Sequence, residues 1–411
     1  MSKFAIEQKE NWRWLVTPKP LANKPLHRWC IFPHSFTSDL VHALIEEWDL
    51  STDDYILDPF AGAGTTILAA KEKGIPAKGY DISPLAVLVA RAKVSNFRVS
   101  RLEQTWKRFQ KHLNPARWNG PSKDYPSLVR EALPGRLLGA FDTLYHDIDK
   151  LQTSPSERDF FCVALLSILP RFSRAVATGG WLKWVNKRNG ILSLSSAFNE
   201  RVSLMLDDLR KIDMPRTDFW SIDQADARKL PDKNGTYTAV ITSPPYPNRH
   251  DYTRVFGVEL MFGFLDWNET RHLRYQSFHS HPEARPVRPQ ADDYKRPLKL
   301  ARILGRIEKK TKDHRIPKMI EGYFLDMYLC LKETKRVCKT NARIAFVVGN
   351  AQYYGEALPV DELTAEVGEQ TGLNCEKLLA ARFRGNSAQQ MGKYGRNPSR
   401  ESVVVFRNPS R

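Results

Sequence analysis

The sequence predicts an α/β fold built on an open, mainly parallel sheet, and three stretches predict it. Ala239-Val240-Ile241 is a short apolar run of the kind buried inside a parallel sheet, and Thr242-Ser243-Pro244-Pro245-Tyr246 follows it directly. Two consecutive prolines remove two backbone donors and stop the ladder there. Tyr55 to Asp58 reads as a strand that enters the turn Pro59-Phe60-Ala61-Gly62-Ala63-Gly64 and then, at Thr65-Thr66, a helix. About one βα unit later, Ala77 to Asp81 reads as a strand that ends in an acid. Rossmann-like sheets of this kind bind ligands beyond the carboxyl ends of their strands, so all three strand ends are candidate site positions.

With 411 residues, 42% apolar and 27% charged, the chain has an ordinary globular composition and room for more than one domain. Its formal net charge of +17 is not ordinary and points to a polyanionic partner, nucleic acid first. Five scattered cysteines without a Cys-x-x-Cys pair read as reduced thiols. The histidines lack a partner cluster of acids, so no metal site is expected. Met1 to Trp14 is charged and lacks an apolar leader, and no run approaches a membrane span, so a cytoplasmic protein is expected.

Taken in order, the arm up to Leu26 has no clear period and reads as irregular. Ile31 to Asp39, with Phe32 and Pro33, leads into a helix marked by Leu40, Val41, Leu44, Ile45 and Trp48, with Thr37 or Ser38 as its cap. A loop ending on a helix N-terminus can hold an anion. Gly62 and Gly64 permit a tight turn and close approach of a ligand, and a helix follows from Ile67 to Lys73. By itself such a turn would equally suit a nicotinamide or flavin. Asp81, followed by Ile82, stands where an acid would accept hydrogen bonds from two ribose hydroxyls, and Leu85 to Val94 is its helix.

Residues 96–216 read as a largely helical insertion, with runs at Phe160 to Leu169 and Phe198 to Ile212. Within it, Arg171-Phe172-Ser173-Arg174 and Gly179 to Arg188 interleave basic residues with aromatics. Such a stretch can contact phosphates and stack on bases, or it can be a helix with a solvated basic face. The sheet resumes at Phe219, and Asp226-Ala227 lies just before the Ser-Pro-Pro-Tyr strand. Beyond Tyr246 come Arg249, an apolar helical run to Leu265 and a basic, loop-rich insertion up to Lys318. The chain then returns to α/β form, with helices Tyr323 to Val337 and Val360 to Thr371 and strands Arg343 to Asn350, Cys375 to Phe383 and Ser402 to Phe406. The loop between the last two strands is far longer than a hairpin needs. The core is therefore divided as 1–95, 217–260 and 319–411, interrupted by 96–216 and 261–318.

Ser243-Pro244-Pro245-Tyr246 resembles motif IV of the amino-methyltransferases, which methylate exocyclic amines of cytosine or adenine in DNA. Members carry an acid, amide or serine before Pro-Pro and an aromatic, and the serine form is associated mainly with N4-cytosine enzymes. Asp58 to Thr66 resembles motif I of S-adenosylmethionine-dependent DNA methyltransferases, and the Phe32-Pro33 region is similar to motif X. The resemblance implies a class I methyltransferase sheet. It implies S-adenosylmethionine held by Phe32, Pro33, Asp58, Pro59, Phe60, Gly62, Gly64, Thr65, Thr66, Asp81, Ile82, Asp226 and Ala227. Ser243, Pro244, Pro245 and Tyr246 would act on a nucleotide extruded from double-stranded DNA. Arg171, Arg174, Lys183 and Arg249, with Asn386, Gln390, Tyr394 and Arg396 of the last loop, are the candidate DNA contacts. The setting implied is the cytoplasm of a prokaryote, beside a cognate restriction endonuclease. The cofactor motif comes first here, whereas many N4-cytosine enzymes with Ser-Pro-Pro-Tyr have the opposite order. N6 of adenine, an RNA base and a DNA-binding protein with an inactive core remain as alternatives.

Overall fold

In the computed structural model, residues 3–186, 192–385 and 398–410 are described. The strands in chain order are β1 (Ile6–Gln8), β2 (Ile56–Asp58), β3 (Ala77–Asp81), β4 (Ala175–Thr178), β5 (Trp181–Trp184), β6 (Trp220–Gln224), β7 (Tyr237–Thr242) and β8 (Cys338–Gly349). They continue with β9 (Ala351–Tyr353), β10 (Glu356–Leu358), β11 (Asn374–Arg384) and β12 (Ser399–Arg407). Eight of them form one sheet in the order β1-β11-β12-β8-β7-β2-β3-β6. All neighbours in it are parallel except the two pairs that β12 makes. The chain runs outward from β2 through β3 to β6, returns across β2 to β7, and continues outward the other way to β8. The order therefore reverses between β2 and β7, and a sheet of this kind opens a crevice at that point.

Helices cover both faces, as a parallel sheet requires. Successive residues of a strand point to opposite faces, so Ala239 and Ile241 of β7 enter one core while Val240 enters the other, which Tyr237 joins because the pairing is irregular between Tyr237 and Ala239. The first core holds α1 (Ser38–Glu47), α2 (Thr65–Glu72) and α3 (Pro84–Val94). It also takes in the helices of the first insertion, α4 (Val99–Phe109), α5 (Ser127–Ala132), α6 (Arg136–Asp149), α7 (Pro155–Phe172) and α8 (Leu192–Lys211). Phe160 of α7 meets Trp29 edge-on at 5.4 Å and Phe97 at 5.6 Å, so the insertion shares the core of the sheet. After β7 come α9 (Tyr252–Val255), α10 (Gly257–Gly263), α11 (Trp267–Gln276), α12 (Leu298–Lys310), α13 (Arg315–Val337) and α14 (Val360–Gln370), the last three packing on the second core.

Three expectations are corrected. The N-terminal arm is not wholly irregular, because Ile6 to Gln8 pair with Leu378 to Ala380 as an edge strand. The basic and aromatic stretch after α7 is not a helix but the antiparallel hairpin β4–β5, reversed through Gly179 at φ +59°. Thr37 does stand at the N-cap of α1, yet its hydroxyl donates to the Leu15 carbonyl at 3.2 Å instead of accepting from the helix. Among the described residues, no helix is long and apolar enough to cross a membrane.

Glu259 of α10 is buried in the first core, and burial pushes its carboxyl up to about 7 from 4.5. A carboxyl raised by folding binds its proton more tightly in the folded state, so stability falls as pH rises from 4.5 towards 7. The full cost, roughly 3 kcal/mol, is present above pH 7. Glu259→Gln is therefore expected to raise the melting temperature relative to wild type at pH 8 and to leave it nearly unchanged at pH 5. A difference that stays constant between the two pH values would show that Glu259 does not titrate in this way.

Candidate active site

The carboxyl ends of β2, β3 and β7 open onto one cleft, and side-chain bonds lock them together. Asp58 ends β2, is buried, and accepts from the Thr242 hydroxyl at 2.6 Å and the Phe60 N–H at 3.1 Å. Burial is the main cause that raises the Asp58 carboxyl to about 6, against the opposing bond from Thr242. Thr66 donates to the Ile241 carbonyl at 3.1 Å, so the helix after the glycine turn is pinned to the neighbouring strand. Asp81 ends β3 and accepts from the Gly62 and Ser83 N–H groups, each at 2.9 Å. Burial raises its pKa, and each of its oxygens keeps a lone pair for a further donor.

Those bonds discriminate between cofactors. A dinucleotide places its pyrophosphate on the N–H groups of the glycine turn. Here a carboxylate already occupies the Gly62 N–H, and Asp58, Asp81 and Asp226 all line the cleft. A phosphate would be repelled there, whereas a ligand with an ammonium and free hydroxyls would be matched.

Of the thirteen positions assigned to the cofactor, Phe32, Pro33, Asp58, Pro59, Phe60, Gly62, Thr65, Asp81, Ile82, Asp226 and Ala227 line this cleft. Gly64 and Thr66 do not. Gly64 has φ +79°, and a Cβ there would fall 2.7 Å from that of Ala90, so its glycine lets α2 and α3 approach. Thr66 is fully buried against β7. Asp226 is held by Arg228, whose Nε lies 2.9 Å from Oδ1 and Nη2 2.7 Å from Oδ2. Arg228 is itself buried and bonded to Asp326 at 3.1 Å, and Arg288 reaches Asp326 at 2.7 Å. Sequence reasoning missed this chain of charges, although Arg228 stands two residues after Asp226.

Ser243 and Pro245 line the cleft; Pro244 and Tyr246 are buried beside it. The Ser243 hydroxyl donates to the Val347 carbonyl of β8 at 3.0 Å. Its one proton is spent, so towards the cleft it can only accept. Tyr246 packs against Gly349, where a Cβ would lie 2.8 Å from the ring, and the Arg384 guanidinium sits over the ring at 5.8 Å. Burial pushes the Tyr246 phenol upward, so it stays protonated. Arg384 covers a ring face that base stacking would need.

The folding back of α9 and the segment 277–281 adds a rim with no signal in the sequence. Phe256 stacks near Phe32 at 4.4 Å, and Phe278 meets Phe60 edge-on at 5.6 Å. His34 lies 4.7 Å from His250, and burial lowers its pKa to about 4, so it is neutral. The expectation that the histidines lack acid partners is corrected at His281, whose ring converges with Asp251 and Glu283. That group is nevertheless already served by cations. Arg274 lies 2.9 Å from Asp251, and Arg254 lies 3.3 Å from both Asp251 and Glu283.

Arg171, Arg174, Lys183 and Arg249 are all exposed. Arg171 lies 3.5 Å from Glu200 on α8. Arg174 precedes β4 and Lys183 is on β5, while the hairpin turn rests on Arg249. Asn386, Gln390, Tyr394 and Arg396 lie outside the described residues.

Residues 5–91 match a family model described as DNA methylase. The Type II methyltransferase M.BsoBI of Geobacillus stearothermophilus is 29% identical over 459 aligned residues, covering 98% of this chain and 90% of that protein. The Type II methyltransferase M.AvaI of Anabaena variabilis is 29% identical over 435, covering 97% and 89%. A shorter match, 32% over 74 residues, covers 17% of this chain and 14% of the Type II methyltransferase M.MjaII of Methanocaldococcus jannaschii.

Proposed function

We propose that this chain moves a methyl group from S-adenosylmethionine to the exocyclic N4 amine of cytosine in duplex DNA. The observation that carries the reading is Ser243, a hydroxyl fixed as an acceptor at the sheet's reversal point, beside a cleft lined by acids. Its similarity to Type II methyltransferases along nearly the whole chain supports a role in DNA modification, with a restriction endonuclease of the same specificity as companion. The serine before Pro-Pro-Tyr supports cytosine over adenine.

The donor set fits the cofactor. Asp58 would face the ammonium of its methionine end, and Asp81 would accept from its ribose hydroxyls. Ala227 and the tethered Asp226 would border its adenine. The bound cofactor supplies an electrophilic methyl on a sulfonium. Ser243 Oγ and the Pro244 carbonyl would accept the hydrogens of the target amine, localise its lone pair and stabilise the positive charge that develops on nitrogen. Pro245, backed by the buried Tyr246, would hold the base so that nitrogen, methyl and sulfur lie in line. Methylation at carbon 5 of cytosine needs a thiol nucleophile, and no cysteine stands beside Pro244 or Pro245.

Incubation of the purified chain with tritium-labelled S-adenosylmethionine and, in parallel, plasmid DNA or total RNA tests the substrate. Label in the DNA is expected. Label confined to RNA would overturn the reading.

A further inference from the structure

The sequence leaves open which insertion meets the nucleic acid, and the placement of the β4–β5 hairpin answers it. We propose that this hairpin is the part of the protein that docks on the duplex beside the extruded nucleotide. Trp181 would wedge against the base step that the extrusion opens, and Arg174, Lys183 and Arg249 would hold phosphates. The inference rests on the DNA reading above.

Two strands of four residues are not stable alone, so the hairpin must be held from outside. Leu182 packs against the core of the first insertion. The turn sits on the loop that leaves Ser243 to Tyr246, since a Cβ on Gly180 would lie 3.2 Å from the Arg249 carbonyl and 3.4 Å from His250 Cα. The Arg254 guanidinium lies 5.2 Å from the Trp181 ring and is itself tied to Asp251 and Glu283. The hairpin is thus fixed to the active-site loop, yet Trp181 is 55% and Trp184 48% exposed. Strand alternation puts Trp184 on the core side with Leu182 and Ala175, and Trp181 on the outer side with Lys183, so the outer face carries a large exposed ring beside a cation, a pairing that suits nucleic acid.

The cations assigned to phosphates are unpaired: among the described residues, no ion pair engages Arg174, Lys183 or Arg249, so their charge is available to a polyanion. In the second insertion Arg288, Arg296, Arg306 and Lys310 are paired with Asp326, Glu321 and Glu356. Other cations of that insertion, among them Arg271, Lys295, Arg302, Lys309 and Lys318, make no ion pair among the described residues, so the braced, exposed ring and not charge alone singles out the hairpin.

The test compares wild type with the Trp181→Ala variant, measuring affinity for a fluorescent duplex by anisotropy and for S-adenosylmethionine by calorimetry. A loss of about tenfold or more in duplex affinity is expected, with cofactor affinity unchanged. Duplex binding equal to wild type would overturn the hairpin assignment and leave the DNA reading intact. A wild type that binds no duplex would overturn the DNA reading itself. If the variant also loses cofactor binding, Lys183→Glu reads the same outer face through charge at an exposed position. It should weaken duplex binding about tenfold and make its loss with salt shallower, because fewer counterions are released, and no change would overturn the assignment.

Discussion

Ser243→Ala is expected to lower methyl transfer by about 100- to 1,000-fold while S-adenosylmethionine binds as tightly as to wild type. The hydroxyl gives its proton to the Val347 carbonyl at 3.0 Å, so in the proposed mechanism it would serve the target amine as an acceptor. An acceptor matters most when positive charge develops on the nitrogen, and this change in charge lies in the transition state and not in cofactor binding. The loss should therefore appear in the single-turnover rate, with calorimetric affinity for the cofactor unmoved. Ser243→Ala also leaves the Val347 carbonyl without that donor, a local cost too small to unfold a strand end embedded between β2 and β8. Turnover equal to wild type would remove Ser243 from the mechanism.

Asp81→Ala is expected to give the second large effect, and to give it on binding. Its carboxylate holds the Gly62 and Ser83 N–H groups and retains lone pairs that, in the proposed site, would take two ribose hydroxyls. Hydrogen bonds to a charged acceptor contribute about 1.5–3 kcal/mol each, so losing the pair weakens cofactor binding by roughly 100-fold or more. The Gly62 N–H is also left without its acceptor, which loosens the turn. Asp81→Asn keeps one carbonyl oxygen and should fall between the two. Calorimetry with S-adenosylmethionine reads all three proteins, and an Asp81→Ala affinity matching wild type would cancel the ribose assignment.

The parts of the fold legible in sequence are those whose cause is local. The apolar run before two prolines, the glycine turn after Asp58 and the acid closing β3 all report their structure within a dozen residues. Each does end at the cleft beyond the carboxyl ends of the strands. What escaped is long-range. Nothing in Ile6 to Gln8 announces a partner at Leu378, and a three-residue strand has no period to detect. Trp181 to Trp184 is too short to distinguish strand from helix, and its hairpin is defined by support from Arg249 and Arg254, far along the chain. At Asp226 the acid was visible, but the Arg228 and Asp326 that hold it depend on α13 packing over the sheet. The histidine and acid grouping at His281 likewise needs a loop to fold back onto Asp251. Gly64 reads like a ligand-contacting glycine, and only the contact with Ala90 shows that helix packing explains it.

Nucleoside mass spectrometry of DNA from a methylation-deficient host expressing this chain is the most direct test of the account. An acceptor serine working on the exocyclic amine of cytosine predicts N4-methylcytosine, absent from the Ser243→Ala strain. N6-methyladenine in its place would contradict the choice of base, and 5-methylcytosine would contradict the chemistry at Ser243 altogether.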